Sequence, residues 1–237
     1  DKKFNNRGPE AESEEETQVI IEFSATRNFA KVIDFHSYGR EVLLSFLCTD
    51  IEESLDDYII AEGVALSKET GEGVSYSSRR PSADGEHHQH HIRHSTAYSY
   101  IVETQTDFQP TFAEALQEFT ILWPLITTFL ERSIPYQGHV ISSTQEPLNA
   151  QISIQGIPQV AWTASGPHST YHLFLPDGYN FFSRIFLYIM NDFILFSFYL
   201  GQYSVTFSAE GYQSVTKTIQ ISNSSPVSNQ DVILTRD

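Results

Sequence analysis

The feature that most constrains the fold is a change of pattern near Pro135. Before it, apolar stretches of strand or helix length alternate with polar loops; after it, short runs alternate apolar and polar residues between Gly, Pro, Asn and Ser. Ala150-Gln151-Ile152-Ser153-Ile154 and Tyr203-Ser204-Val205-Thr206-Phe207 are the clearest of these runs. The first pattern predicts an α/β unit and the second a small, all-β antiparallel sandwich. Charge shifts at nearly the same place, with 11 basic and 24 acidic residues through Arg132 and only 3 and 6 beyond it. The predicted division is therefore 1–134 and 135–237.

In the first unit, Glu14 to Asn28 carries Val19, Ile20, Phe23 and Ala25 on one helical face, with Glu15 and Glu16 where negative charge suits a helix start. Lys31-Val32-Ile33-Asp34-Phe35-His36 predicts a buried strand running into His36-Ser37-Tyr38-Gly39. Ile51 to Leu66 predicts an amphipathic helix. Lys68 to His94, rich in Gly, Ser, Arg and His, reads as a long loop. Ala97 to Glu103 alternates like a strand, and Phe112 to Leu130 like a helix broken at Pro124, with Trp123 and Phe129 on its apolar side.

A net charge of -16 excludes a nucleic-acid surface, which needs clustered Lys and Arg. The single cysteine, Cys48, cannot form an intrachain disulfide. The opening residues Asp1 to Arg7 lack an initiator Met and the apolar core of a signal peptide, the pattern expected of a chain whose beginning is missing. Residues 179–201 are crowded with Phe, Ile, Leu and Tyr. They are long enough to span a membrane, but Arg184, Asn191 and Asp192 would be costly within it. The segment reads instead as an apolar insert in the β-unit, with no stable membrane span expected.

Two groups of residues could carry chemistry. His36 and Glu103 each end a strand, where open α/β sheets bind ligands. His87, His88, His90, His91 and His94 form a dense imidazole cluster that suggests metal, but in a loop it would lack fixed geometry and reads as polar surface near a cleft.

Asp34-Phe35-His36-Ser37-Tyr38-Gly39 resembles the segment with the third zinc ligand in metallocarboxypeptidases of the A and B type. Arg7-Gly8-Pro9 followed by Ser13-Glu14-Glu15-Glu16-Thr17, Pro81-Ser82-Ala83-Asp84-Gly85, Tyr98 to Thr104 and Asp107 to Pro110 are similar to further family segments in the same order. The resemblance covers most of residues 7–132. It implies part of a carboxypeptidase-like mixed sheet with flanking helices, zinc as cofactor, and hydrolysis of the C-terminal peptide bond of peptides or proteins. Carried over by position, His36 is a zinc ligand, Glu103 the general base, and Ser37 and Tyr38 line the substrate cleft.

Tyr136 to Val140, Pro147 to Ala150 and Tyr171 to Gly178 resemble the transthyretin-like domain that follows the catalytic domain in peptidases of the E, N and D type. That pairing, with the sequon Asn223-Ser224-Ser225, implies a secreted protein. The sequence departs from the family at decisive points. It contains no His-x-x-Glu, the source of two zinc ligands, and neither the upstream arginines nor the Asn-Arg pair that bind substrate, Arg7 belonging to the Arg-Gly-Pro match instead. Where the family carries a flexible tyrosine this chain has Ser78-Arg79-Arg80, with Tyr76 the nearest candidate, and Arg79 or Arg80 is available to meet a substrate carboxylate. The expectation is a peptidase chain with little activity of its own; the alternative is a non-catalytic peptidase-like binding module.

Overall fold

The structure is a computed structural model describing residues 9–10, 12–47, 51–157, 162–164, 167–177 and 202–237. Arg7, Gly8, Cys48 and the apolar segment 179–201, with the expectations placed on them, lie outside these residues.

The first sheet is built from β1 (Lys31–Ser37), β2 (Glu41–Leu43), β3 (Ser77–Arg79) and β4 (Tyr98–Thr104) in the order β1-β4-β2-β3. β1 and β4 are parallel, β2 and β4 antiparallel, so the sheet is mixed. Helices α1 (Glu15–Ala25), α2 (Glu53–Leu66), α3 (His87–Ser95) and α4 (Phe112–Glu131) accompany it. Helix α2 starts where the Glu52 side chain accepts the Ser54 and Leu55 amides, and it buries Leu55, Ile59 and Leu66. Each such side chain contributes about 2 kcal/mol relative to exposure.

Several expectations need correction. His87 to Ser95 is helical, not loop, because a Glu86–Gln89 capping box satisfies the first turn and turns Ile92, His88 and His91 into the core. Helix α4 runs unbroken through Pro124; the chain at Gly71 approaches there and donates its amide to the Ile121 carbonyl at 2.8 Å. Its core face is Ile121, Leu122, Leu125 and Phe129, whereas Trp123 is half-exposed with Phe112, Leu116, Phe119 and Leu130. Likewise Val19, Ile20 and Phe23 of α1 face outward among the described residues.

The second half forms two sheets. β6 (Ala150–Ile154), β7 (Trp162–Ala164), β9 (Gln202–Ser208) and β10 (Val215–Gln220) are antiparallel in the order β10-β9-β6-β7. β5 (Tyr136–Ser142) pairs antiparallel with β8 (Thr170–Leu173) but parallel with β11 (Val232–Leu234), a departure from a wholly antiparallel arrangement. Alternate residues of β5, β6, β9 and β11 are buried, and Tyr171 of one sheet meets Phe207 of the other with ring centroids 5.1 Å apart.

The two halves share their contacts closely. Tyr58 stacks on Phe174 at 5.2 Å, Thr96 Oγ1 donates to the His172 carbonyl at 2.9 Å, and Arg132 pairs with Glu62 while reaching Asn223 Oδ1 at 3.0 Å. Asn223, the sequon residue, also accepts from Tyr58 OH at 2.6 Å and donates to Asp177 Oδ1 at 2.6 Å. The Asn223 side chain thus links the two halves.

Candidate active site

His36 and Glu103 are Cα partners in the parallel β1–β4 register, one pair before each strand ends at Ser37 and Thr104. Partnered positions on neighbouring strands present their side chains to the same face, so the pleat brings this imidazole and carboxylate together. Glu103 Oε2 is buried and has no hydrogen-bond partner among the described residues. Gly39 lies against it: a Cβ there would come within 3.3 Å of Glu103 Cβ and 3.2 Å of the Glu41 carboxylate. The turn after β1 is tied down where the Gly39 amide donates to the Gln105 carbonyl at 2.8 Å. Between them, Ser37 Oγ donates to the Phe108 carbonyl at 3.2 Å, and the exposed Tyr38 ring meets Phe108 edge-on. The Ser37–Tyr38 peptide is cis.

Asp34, two residues before His36 and so on the same strand face, organises the imidazoles. Its Oδ2 lies 3.1 Å from His36 Nε2 and 3.1 Å from His87 Nδ1. His87 Nε2 then lies 3.0 Å from His91 Nε2, which sits 3.5 Å from Ser24 Oγ. The His87 hydrogen bond, opposed by burial and assisted by His36, holds the Asp34 carboxyl down at about 2. Burial, with His87 beside it, pushes His91 down to about 3, so it is neutral at pH 7. With Nε2 engaged by Asp34, the His36 ring presents Nδ1 as its other nitrogen, and a carboxylate on the far nitrogen is how metal-binding histidines are oriented.

The remaining candidates are placed differently. Tyr76 is buried and its hydroxyl donates to Glu118, so it is a core residue and not a mobile one. Arg80 pairs with buried Asp56 at 2.5 Å and also donates to the Phe46 carbonyl. Arg79 pairs with Glu41 at 2.6 Å. Both guanidiniums are held by the protein's own carboxylates.

Sequence reasoning missed Glu118. It is buried on α4 and accepts from Arg40, Tyr76 and the Gln105 amide, fastening the segments that follow both site strands. An acid beyond the first turn of a predicted helix, followed by apolar residues, was the available signal. Asp34 was visible only as part of a motif; its period-two spacing from His36 was the clue.

The structure thus sets an imidazole and a carboxylate side by side at adjacent strand ends of a mixed α/β sheet. The zinc carboxypeptidase family matches residues 2–130, and the chain belongs to that family. No curated protein matches it. The family is zinc-dependent in general. Among the described residues no three His, Cys, Asp or Glu side chains converge to hold an ion, and His-x-x-Glu is absent from the sequence. His36 suits one ligand position; the residues present do not by themselves make a zinc site. No helix among the described residues is long and apolar enough to cross a membrane.

Asp34→Asn tests the relay. With its site partly exposed, the expected loss is about 1 kcal/mol or less at pH 7. Because the folded carboxyl is depressed from 3.8 to about 2, the wild-type advantage is full above about pH 4 and shrinks as pH falls toward 2. Urea midpoints at pH 7 and pH 3 measure this; a gap that widens in acid would refute it.

Proposed function

We propose that these residues belong to the working edge of a metallocarboxypeptidase that hydrolyses the C-terminal peptide bond of peptides or proteins. His36 is a zinc ligand, and Glu103 is the general base that takes a proton from the attacking water and passes it to the leaving amine. Ser37 and Tyr38 line the cleft for the C-terminal residue. The observation that supports this most is the register pairing of His36 with Glu103, whose buried carboxylate oxygen lacks a partner within the described residues. Residues 1–134 form the C-terminal half of the catalytic domain, and 135–237 a transthyretin-like module that folds or docks it, in a secreted protein. The closely similar order of family motifs supports the first assignment, and the two-sheet arrangement of β5 to β11 agrees with the second.

Lacking His-x-x-Glu, the 237-residue polypeptide alone is expected not to hydrolyse a blocked dipeptide with added zinc. When the chain is combined with a family segment that supplies that motif, Glu103→Gln is expected to lower turnover by roughly 10²–10⁴-fold with zinc content unchanged. His36→Ala should lower the zinc content instead. Hydrolysis by the 237-residue chain that is indifferent to Glu103→Gln would defeat the assignment. The alternative is a non-catalytic peptidase-like binding module. Binding of a free-acid peptide in preference to its amide, with no activity after the motif is supplied, would select it.

A further inference from the structure

Of the five clustered imidazoles, three are committed inward. His88 is fully buried with Nε2 on the Ser45 carbonyl at 2.9 Å, and His87 and His91 are 3.0 Å apart in the relay from Asp34. His90 and His94 are different. They stand one helical turn apart on α3, partly accessible, with ring centroids 4.4 Å apart and no hydrogen-bond partner among the described residues. Residues at i and i+4 share a helix face, so the pair is preset by the backbone. The frame is firm, with a capping box at Glu86 and Gln89, buried Ile92, and Ser95 Oγ donating back to the His91 carbonyl at 2.9 Å.

We propose that His90 and His94 form a two-imidazole chelate for a first-row divalent transition-metal ion, separate from His36 and unrelated to peptide hydrolysis. Neutral imidazole suits zinc, nickel and copper, the last binding tightest in a given nitrogen site. Burial lowers the proton affinity of both rings, leaving their lone pairs free at pH 7. The Glu12 carboxylate is near enough to act on both, and its negative field also favours a bound cation. No third protein ligand converges among the described residues, so water completes the coordination and the ion exchanges readily.

The test is calorimetric titration of the full 237-residue chain with Ni(II) at pH 7.5, alongside His94→Gln, His90→Gln/His94→Gln, His36→Gln and His87→Gln. One ion per chain is expected for the wild type. His94→Gln, an exposed change, should weaken binding by about tenfold or more, and the double variant should abolish it. His36→Gln should leave it unchanged. Ni(II) should also raise the thermal midpoint of the wild type but not that of His94→Gln, a readout that an unfolded polyhistidine chain would not show. Undiminished binding by His94→Gln, or an equal loss in His87→Gln, would overturn the proposal.

Discussion

Replacing Glu118 with alanine is expected to destabilise the protein by about 3–4 kcal/mol, lowering the melting temperature by roughly 10 °C for a chain of this size. Arg40 donates to the Glu118 carboxylate twice, at 3.0 and 2.6 Å, and the buried Tyr76 hydroxyl donates to it as well. Removing the acceptor leaves that hydroxyl unpaired in the core, at about 1–3 kcal/mol, and strands a guanidinium that is only partly solvated. Burial alone would raise the Glu118 carboxyl, but Arg40, Tyr76 and the Gln105 amide together hold it below the usual carboxylate range. Its stabilisation is therefore present at neutral pH and disappears as pH falls through that depressed value. Glu118→Gln keeps the shape and should cost less than half as much. A melting temperature within 2 °C of wild type for the alanine variant would show that Arg40 and Tyr76 find other partners. Because Arg40 follows Gly39 and Gln105 follows Thr104, the same loss loosens the backbone beside His36-Ser37-Tyr38 and Glu103.

The elements legible in the sequence were those whose burial follows local period. α2 and β4 fall within a few residues of their apolar patterns because they bury residues in the core, whereas β1 lies where its pattern puts it but is half-buried to exposed rather than buried, with Phe35 facing outward. Helix α3 was not legible: its mean composition is polar, and only the capping box and the chance to bury neutral imidazoles make it helical. Pro124 misled because α4 continues through it, and the Gly71 amide that meets the helix there, on the Ile121 carbonyl, comes from over fifty residues earlier in the chain. Motif order singled out His36, Ser37, Tyr38 and Glu103, while the position of His36 opposite Glu103 comes from pairing across strands. The Asp34–His87–His91 relay depends on α3 packing beside β1, a tertiary fact with no local signature. Asn223 carries a role its motif does not announce: its side chain bridges Tyr58 and Arg132 of one half to Asp177 of the other.

That joining bears on Gly138→Ala, for which the expected loss is about 3 kcal/mol or more. A Cβ on Gly138 would lie 2.4 Å from the Gln230 carbonyl oxygen and 2.5 Å from its carbon, both backbone atoms. Relief by rotating a side chain is therefore impossible. Gln230 is pinned on several sides, its amide donating to the Gln137 carbonyl at 3.1 Å and its own carbonyl accepting from Tyr171 OH at 2.6 Å. Asp231 beside it takes the His139 amide at 3.1 Å. The methyl must push this segment off β5 and with it the β11 pairing at Val140 and Val232. Gly211→Ala is the control: its φ is +76°, but a Cβ meets nothing within 4 Å, so about 1–2 kcal/mol is expected from backbone strain alone. Amide exchange separates two kinds of response. Phe174 packs on Tyr58 and Tyr98, and Arg132 on Asn223, so the halves share one apolar core and lose protection together in β4 as well as β5. Loss confined to β5 and β11, with β4 protected as in the wild type, would show instead that residues 135–237 unfold as an independent unit and that the contacts across the boundary add little to either half.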